Sequence, residues 1–267
     1  MKNFMFWMLA FLITLGAAVY QRMTGPTYDM KGKVQIEDTE IKYRLPRTHV
    51  TDINCDVSIK TEDENVQGFI KYQRYKSPDE WTRVEMTRSE GLLTASLPFQ
   101  PPAGKLAYHV TLVKGEKPYP LTEEDPVVIR FKGAVPMIIL LPHVLIMFLA
   151  MLFSTRAGIE ALRPNSNPRK LAIWTTGLLI AGGMILGPLV QQFAFGALWT
   201  GFPFGTDLTD NKTLIALIAW IIALIMGRKG KPARAWVLGA SVILMAIYLI
   251  PHSLLGSELD YSQINKP

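Results

Sequence analysis

Long apolar runs alternate with one extended polar stretch along the chain. The apolar runs cover residues 4–20, 134–154, 171–190, 213–226 and 235–250. At a rise of 1.5 Å per residue these lengths suit the hydrocarbon core of a bilayer, about 30 Å thick, although the fourth run is somewhat short. The pattern predicts a membrane protein with an N-terminal helix over residues 1–26 and a four-helix transmembrane domain over residues 134–267.

The first apolar run has two interpretations, a cleaved signal peptide and a retained anchor. It follows Lys2 and is long for the apolar part of a signal peptide, while it just reaches the length of a membrane span. Gly16-Ala17-Ala18 is only a weak cleavage site. Both interpretations export the segment that follows, and we favour an uncleaved signal anchor.

The polar stretch, residues 27–133, alternates apolar and polar positions with period two. That period is typical of half-buried strands, and turn residues separate the runs. The alternating runs are Val34/Ile36, Ile41/Tyr43/Leu45, Val57/Ile59, Ile70/Tyr72, Leu93/Ala95/Leu97, Leu106/Tyr108/Val110/Leu112 and Val127/Ile129/Phe131. Short strands at this spacing predict an antiparallel β-sandwich outside the cytoplasm.

The stretch from Leu97 through Pro101-Pro102 to Tyr108 resembles the crossover and the tyrosine-bearing strand of fibronectin type III and immunoglobulin-like domains. The resemblance implies a domain that binds, spaces or scaffolds, and the fold alone does not decide between these roles. We find no catalytic constellation here. His109 is expected to be a solvated strand residue, and Trp81 is expected to pack or cap an edge rather than bind a sugar.

The distribution of the net charge of +6 indicates the orientation of the chain in the membrane rather than an affinity for nucleic acid. Between Arg22 and Lys132 there are 17 basic and 17 acidic residues, so the polar stretch is neutral. Eight of the remaining basic residues lie in two short connections, Arg156/Arg163/Arg169/Lys170 and Arg228/Lys229/Lys231/Arg234. By the positive-inside rule both connections face the cytoplasm. The β-domain, the loop 191–212 and the C-terminal tail then lie outside a cytoplasmic (inner) membrane.

The lone cysteine, Cys55, excludes an intrachain disulfide and a Cys-x-x-Cys-His heme attachment motif. We expect it to be a small buried residue of a strand.

The loop 191–212 is longer and richer in aromatic and polar residues than an ordinary connection between helices. Aromatic residues at a membrane boundary are one interpretation of its composition. Asp210 as the N-cap of the next helix is an alternative to a functional role. The candidate residues are Trp199, Phe202 and Phe204, followed by a polar group of Asp207, Asp210, Asn211 and Lys212.

Two histidines lie in the outer parts of predicted spans, His143 after Pro142 and His252 after Pro251. An ionisable residue in a span is a functional hypothesis, and histidine is a common ligand of heme iron. Structural histidines are the alternative. Counted from Arg156 and Arg234, their depths are about 20 Å and about 27 Å, which disfavours a shared ligand.

The outward aromatic loop, the polar stretch after it and the two histidines together resemble the tryptophan-rich-loop heme-handling proteins of cytochrome c biogenesis. The resemblance covers about 120 residues, from the second apolar run to the C-terminus. It implies a heme b held against Trp199, Phe202 and Phe204, with His143 and His252 as the iron ligands.

The tail after the last apolar run also carries polar residues. Glu258 and Asp260 are expected either to form a polar lid with Lys212 or to belong to a solvated tail.

These patterns favour a non-catalytic membrane subunit or scaffold whose β-sandwich binds a partner protein. The alternative is a heme-binding membrane protein in electron transfer or heme delivery. A transporter is disfavoured because the spans carry no charge besides histidine and no paired broken helices. Enzymatic activity is left open.

Overall fold

The computed structural model describes residues 2–122, 124–227, 234–251 and 258–261 of the 267-residue chain. It divides the protein into two compact units. The helical unit comprises residues 2–26 and the helices between residues 135 and 251, and the β unit comprises residues 27–134 with residues 258–261. A sandwich-like β region between an N-terminal helix and a set of apolar helices is therefore confirmed.

The helical unit contains five helices, in the part of the chain that is described. They are α1 (Lys2–Thr24), α2 (Met137–Leu162), α3 (Arg169–Phe195), α4 (Leu208–Met226) and α5 (Arg234–Leu249). The first four are long and apolar enough to cross a membrane, and α5 is a shorter apolar helix of 16 residues.

Helix α2 contacts α1, α3 and α5, and α4 contacts α3 and α5. Small side chains fill much of the contact area and allow the helices to approach closely. The buried alanines of the described helices are Ala10, Ala17, Ala150, Ala157, Ala161, Ala172, Ala194, Ala216, Ala223 and Ala240. The largest buried side chain of this unit is Trp220, which is fully inaccessible.

Arg156 differs from its sequence-based placement in a basic connection. It lies inside α2, only 4% exposed, and pairs with Glu160 one turn later at 2.7 Å. Its Nη2 also donates to Oδ1 of Asn3 in α1 at 2.9 Å. Helix α2 continues past the predicted end of the span, and these two partners contact the buried guanidinium there.

The β unit has eleven strands in the described residues. They are β1 (Met30–Ile36), β2 (Thr39–Leu45), β3 (Thr48–Val50), β4 (Cys55–Lys60), β5 (Val66–Arg74), β6 (Thr82–Glu85), β7 (Thr87–Ser89), β8 (Leu92–Leu97), β9 (Lys105–Lys114), β10 (Lys117–Pro120) and β11 (Val127–Lys132). Each alternating run of the sequence lies in one of these strands.

One sheet has the order β3-β11-β9-β5-β6, with β10 added to β9, and a second has the order β4-β8-β7. The β1-β2 hairpin adjoins β4 through β2. All strand pairs are antiparallel except β3 with β11. The inward positions of both sheets form one apolar core that includes Val57, Ile70, Leu97 and Tyr108. Cys55 is buried in this core, 3% exposed, as expected.

Candidate functional site

The connection between α3 and α4 has a defined start and end. Helix α3 stops at Gly196, whose φ of +80° is the left-handed conformation that glycine adopts readily, and the Gly196 N–H donates to the Gln192 carbonyl. Helix α4 starts at Asp207, which accepts hydrogen bonds from the N–H groups of Thr209 (2.8 Å) and Asp210 (3.3 Å). Asp207, rather than Asp210, is therefore the N-cap.

Asp210 has a different role, because its side chain turns back to the connection. The carboxylate is only 6% exposed and accepts from the N–H of Thr200 at 2.6 Å and from the Thr200 hydroxyl at 3.3 Å. Gln191, near the end of α3, donates to the same hydroxyl at 2.5 Å. Thr200 thus joins the end of α3 to the start of α4.

Asn211 holds the next part of the connection. Its Oδ1 accepts from the N–H of Phe202 at 2.7 Å. Gly201 lies against these residues, and a Cβ there would be 2.6 Å from the Asp210 Cβ, so a larger residue would push the connection away from α4. The connection is fixed to the first turn of α4 by side chains of that turn.

The aromatic side chains point away from this anchored backbone. We call residues 202–204 (Phe-Pro-Phe) the aromatic tip. Phe202 is 69% and Phe204 is 83% exposed, and the Phe202–Pro203 peptide is cis. The Trp199 indole N–H donates to the Phe202 carbonyl at 3.0 Å, which fixes the tryptophan beside the tip.

Lys212 is buried, 5% exposed, and its ammonium donates to the carbonyls of Ile250 (3.1 Å) and Pro251 (3.4 Å). These carbonyls follow the end of α5, where unpaired carbonyls and the helix dipole favour a cation. Glu258 belongs to the β unit and pairs there with Lys76 and Lys105. Lys212 and Glu258 thus each have partners within their own unit, and the lid of Lys212 with Glu258 and Asp260 stays a prediction.

His143 lies in α2 beside an irregular part of α3. Residues Ile180–Leu186 of α3 form a π-helical turn, and the His143 Nδ1 is 2.9 Å from the Gly182 carbonyl. That carbonyl also accepts from the Gly187 N–H. Since a carbonyl only accepts, Nδ1 carries a proton, and in the neutral ring Nε2 then keeps a lone pair.

The π-helical turn is also close to α4, because a Cβ on Gly183 would lie 2.6 Å from the Cγ2 of Thr213. π-Helical turns often occur at functional sites. The other predicted ligand, His252, lies outside the described residues.

Family models, curated proteins and solved structures give no match to this chain. The functional argument therefore rests on the geometry of the chain itself. In the described part of the protein, no group of three or more His, Cys, Asp or Glu side chains is placed to hold a metal ion.

The site therefore presents an aromatic surface on a rigid support. Each polar residue at the start of α4 holds backbone groups or neighbouring side chains in place; these residues are Asp207, Asp210, Asn211 and Lys212. Sequence reasoning missed Gln191, Thr200 and Gly201, although a threonine and a glycine between aromatic residues indicate a tight, hydrogen-bonded turn.

Proposed function

We propose that the chain is a non-catalytic integral membrane protein that holds a partner protein through the aromatic tip, residues 202–204. The observation that carries the proposal is that the polar and the aromatic side chains of the connection have different roles. Its polar side chains hold the loop, while Phe202 and Phe204 are left exposed. A fixed loop loses little conformational entropy on binding, and exposed aromatic residues are enriched at protein interfaces.

A catalytic role explains the same polar residues less well than a binding role does. A general acid or base needs a side chain free to contact a substrate, and a structural cap is committed to its own backbone. Asp207 and Asn211 bind backbone N–H groups, and Lys212 binds backbone carbonyls. This use of the polar residues supports a binding role.

The proposed location is the cytoplasmic membrane, with the β unit and the aromatic tip outside. Four helices of spanning length, and basic residues at the connection from α2 to α3, support it. Residues 258–261 belong to the β unit, and four helices separate them from its last strand. Four crossings return a chain to the side on which it started, so the proposal includes a crossing by α5, whose 16 residues extend about 24 Å.

Labelling of single cysteines tests this orientation. In a Cys55→Ser background, Thr206→Cys beside the tip should react with a membrane-impermeant maleimide on intact cells. Asn165→Cys, between α2 and α3, should react only after the membranes are opened. Labelling of Asn165→Cys on intact cells would contradict the orientation.

Purification in a mild detergent tests the partner. The unaltered chain should retain a protein at fixed stoichiometry, and Phe202→Ser combined with Phe204→Ser should release it without lowering the melting temperature. Phe99→Ser is the matched control, because Phe99 is a 52% exposed aromatic residue of the β unit. A chain that purifies alone, or a partner released only by Phe99→Ser, would argue against the aromatic tip.

Heme binding is a second candidate, which the His143 contact favours. Histidines that bind a metal commonly donate their other ring N–H to a backbone carbonyl, as Nδ1 does to Gly182. The residues fit a heme to the extent that Nε2 of His143 could ligate its iron; when bound, such a group would supply one-electron redox chemistry.

Added hemin tests this candidate by absorption. A Soret band in the purified chain should shift or disappear in both His143→Ala and His252→Ala. The proposal fails if no band forms, or if the band is unchanged in both variants.

A further inference from the structure

The C-terminal segment, residues 258–261, is bound to the β unit through a buried tyrosine. Tyr261 is 4% exposed, and its hydroxyl lies 3.0 Å from both the Gln100 Oε1 and the Lys105 carbonyl. The same oxygen accepts from the Lys105 N–H at 2.9 Å. The Arg74 guanidinium lies over the ring, 5.1 Å from its centre. The hydroxyl thus contacts both a donor and acceptors, which a phenylalanine could not satisfy.

The start of the segment is anchored by ion pairs of Glu258, as its end is by Tyr261. Glu258 pairs with Lys105 at 2.6 Å and with Lys76 at 3.0 Å. Between the two anchors, the Leu259 N–H donates to the Ala103 carbonyl at 3.3 Å. Burial raises the pKa of the Glu258 carboxyl, but the hydrogen bonds from Lys105 and Lys76 outweigh it and leave that pKa below its ordinary value. The site therefore favours the charged carboxylate.

Gly104 provides the space for the tyrosine. A Cβ on Gly104 would lie 2.9 Å from the Tyr261 hydroxyl and 2.8 Å from the Pro101 carbonyl oxygen. The apolar core between the sheets is formed by residues 36–131 and does not include Tyr261. The segment is therefore an addition to a sandwich whose core is complete without it.

We propose that the cleft formed by Arg74, Lys76, Gln100 and Lys105 is a peptide-recognition site, with residues 258–261 as its intramolecular ligand. The site selects a segment that carries a tyrosine and, three positions before it, a carboxylate. The chain's own segment keeps the cleft closed to a partner segment of the same chemistry. This inference rests on the β unit alone and does not depend on the aromatic tip.

Fluorescence anisotropy on the full-length chain in detergent tests the proposal. The probe is a labelled peptide with the sequence of residues 256–263, Gly-Ser-Glu-Leu-Asp-Tyr-Ser-Gln. A chain carrying Glu258→Ala and Tyr261→Ala, in which the segment is released, should bind the probe saturably. The unaltered chain should bind it at least tenfold more weakly, because its own segment occupies the cleft.

Matched peptides and a cleft variant establish specificity. Replacing the peptide's tyrosine with phenylalanine, or its glutamate with glutamine, should weaken binding to the released chain. Lys105→Met in the released chain should weaken it as well, because the partner of the glutamate is lost. Lys117→Met, on exposed β10, is the matched control and should leave the affinity unchanged.

Three results would overturn the proposal. One is a released chain that remains folded but does not bind the probe. Another is equal binding by the released and unaltered chains. The third is a released chain whose β unit no longer folds, since a ligand can leave its site without unfolding it.

Discussion

The Asp210 carboxylate accepts two hydrogen bonds from Thr200, one from the backbone N–H at 2.6 Å and one from the hydroxyl at 3.3 Å. One carboxylate in the first turn of α4 thereby fixes a residue ten positions earlier, at the base of the aromatic tip. This contact and the one from the Phe202 N–H to the Asn211 Oδ1 both fix the backbone that carries the tip.

Asp210→Ala should loosen the tip. The Thr200 N–H loses a charged acceptor, and a hydrogen bond to a charged group contributes about 1.5–3 kcal/mol. We expect a lower melting temperature in detergent and faster chymotrypsin cleavage after Trp199 or Phe204. Thr206→Ala is the control, since Thr206 is exposed in the same connection. Equal cleavage of the two variants would show that Asp210 does not hold the tip.

Local patterns predicted most of the fold. Period-two alternation located the longer strands because one face of each strand is buried, and length with apolar content located the helices. The three- and four-residue strands β3, β6, β7 and β10 were missed, since so few positions cannot display a period.

The features that the sequence did not predict depend on contacts between residues that are distant along the chain. Arg156 was assigned to a connection because an apolar run ends just before it, and its partner Asn3, 153 positions away, carries no signal in the local pattern. The place of Tyr261 on the β unit depends on Lys105, 156 positions earlier. The sequence located the aromatic and polar residues of the candidate site, but the bonds from Asp210 to Thr200 and from Asn211 to Phe202 depend on how the connection folds back on α4.

Cys55 should be unreactive in the folded protein. Burial raises the pKa of its thiol to about 11, so the reactive thiolate is scarce at pH 8. Iodoacetamide at pH 8 should label the chain slowly, and denaturant should accelerate labelling many-fold. Since the chain has a single cysteine, Cys55→Ser gives the blank for the mass measurement. Rapid labelling without denaturant would contradict the burial of this strand.

Helix α1 should be retained in the mature protein. The Gln21 side chain donates to the Tyr248 carbonyl at 2.6 Å, and Ala10 is fully buried in the helical unit. Intact-mass measurement of the purified chain should find residues 1–20 present. A chain that starts after Ala18 would refute this prediction.

The packing of α1 has its own test. Ala10→Trp should lower the melting temperature, because overpacking of a filled contact costs about 1–3 kcal/mol. Leu12→Trp is the control, since Leu12 is 59% exposed on the same helix. If both variants melt alike, α1 is not packed against its neighbours as described.

Tyr108→Phe should destabilise the β unit. The Tyr108 side chain is fully buried in the core, and its hydroxyl donates to the Pro46 carbonyl at 2.9 Å. Loss of one hydrogen bond costs about 0.5–1.5 kcal/mol, and each kcal/mol lowers the melting temperature of a domain this size by roughly 4–8 °C. The measurement is the melting temperature of the β unit, followed by the labelling of Cys55 as it becomes exposed. Tyr119→Phe is the control, because the Tyr119 hydroxyl has no hydrogen bond in the described residues.

Because the Tyr108 hydroxyl is buried, we expect the stability of the β unit to depend on pH in the alkaline range. Burial raises the pKa of Tyr108 above its ordinary value of about 10, because the charged form is poorly solvated in the core. A raised folded-state pKa gives stability that is present below pH 10 and decreases as the pH rises further, since the unfolded chain then loses its proton more readily. The unaltered protein should therefore lose more stability between pH 9 and pH 11 than Tyr108→Phe, as measured by urea midpoints with tryptophan fluorescence. Parallel losses in the two proteins would mean that Tyr108 is not responsible.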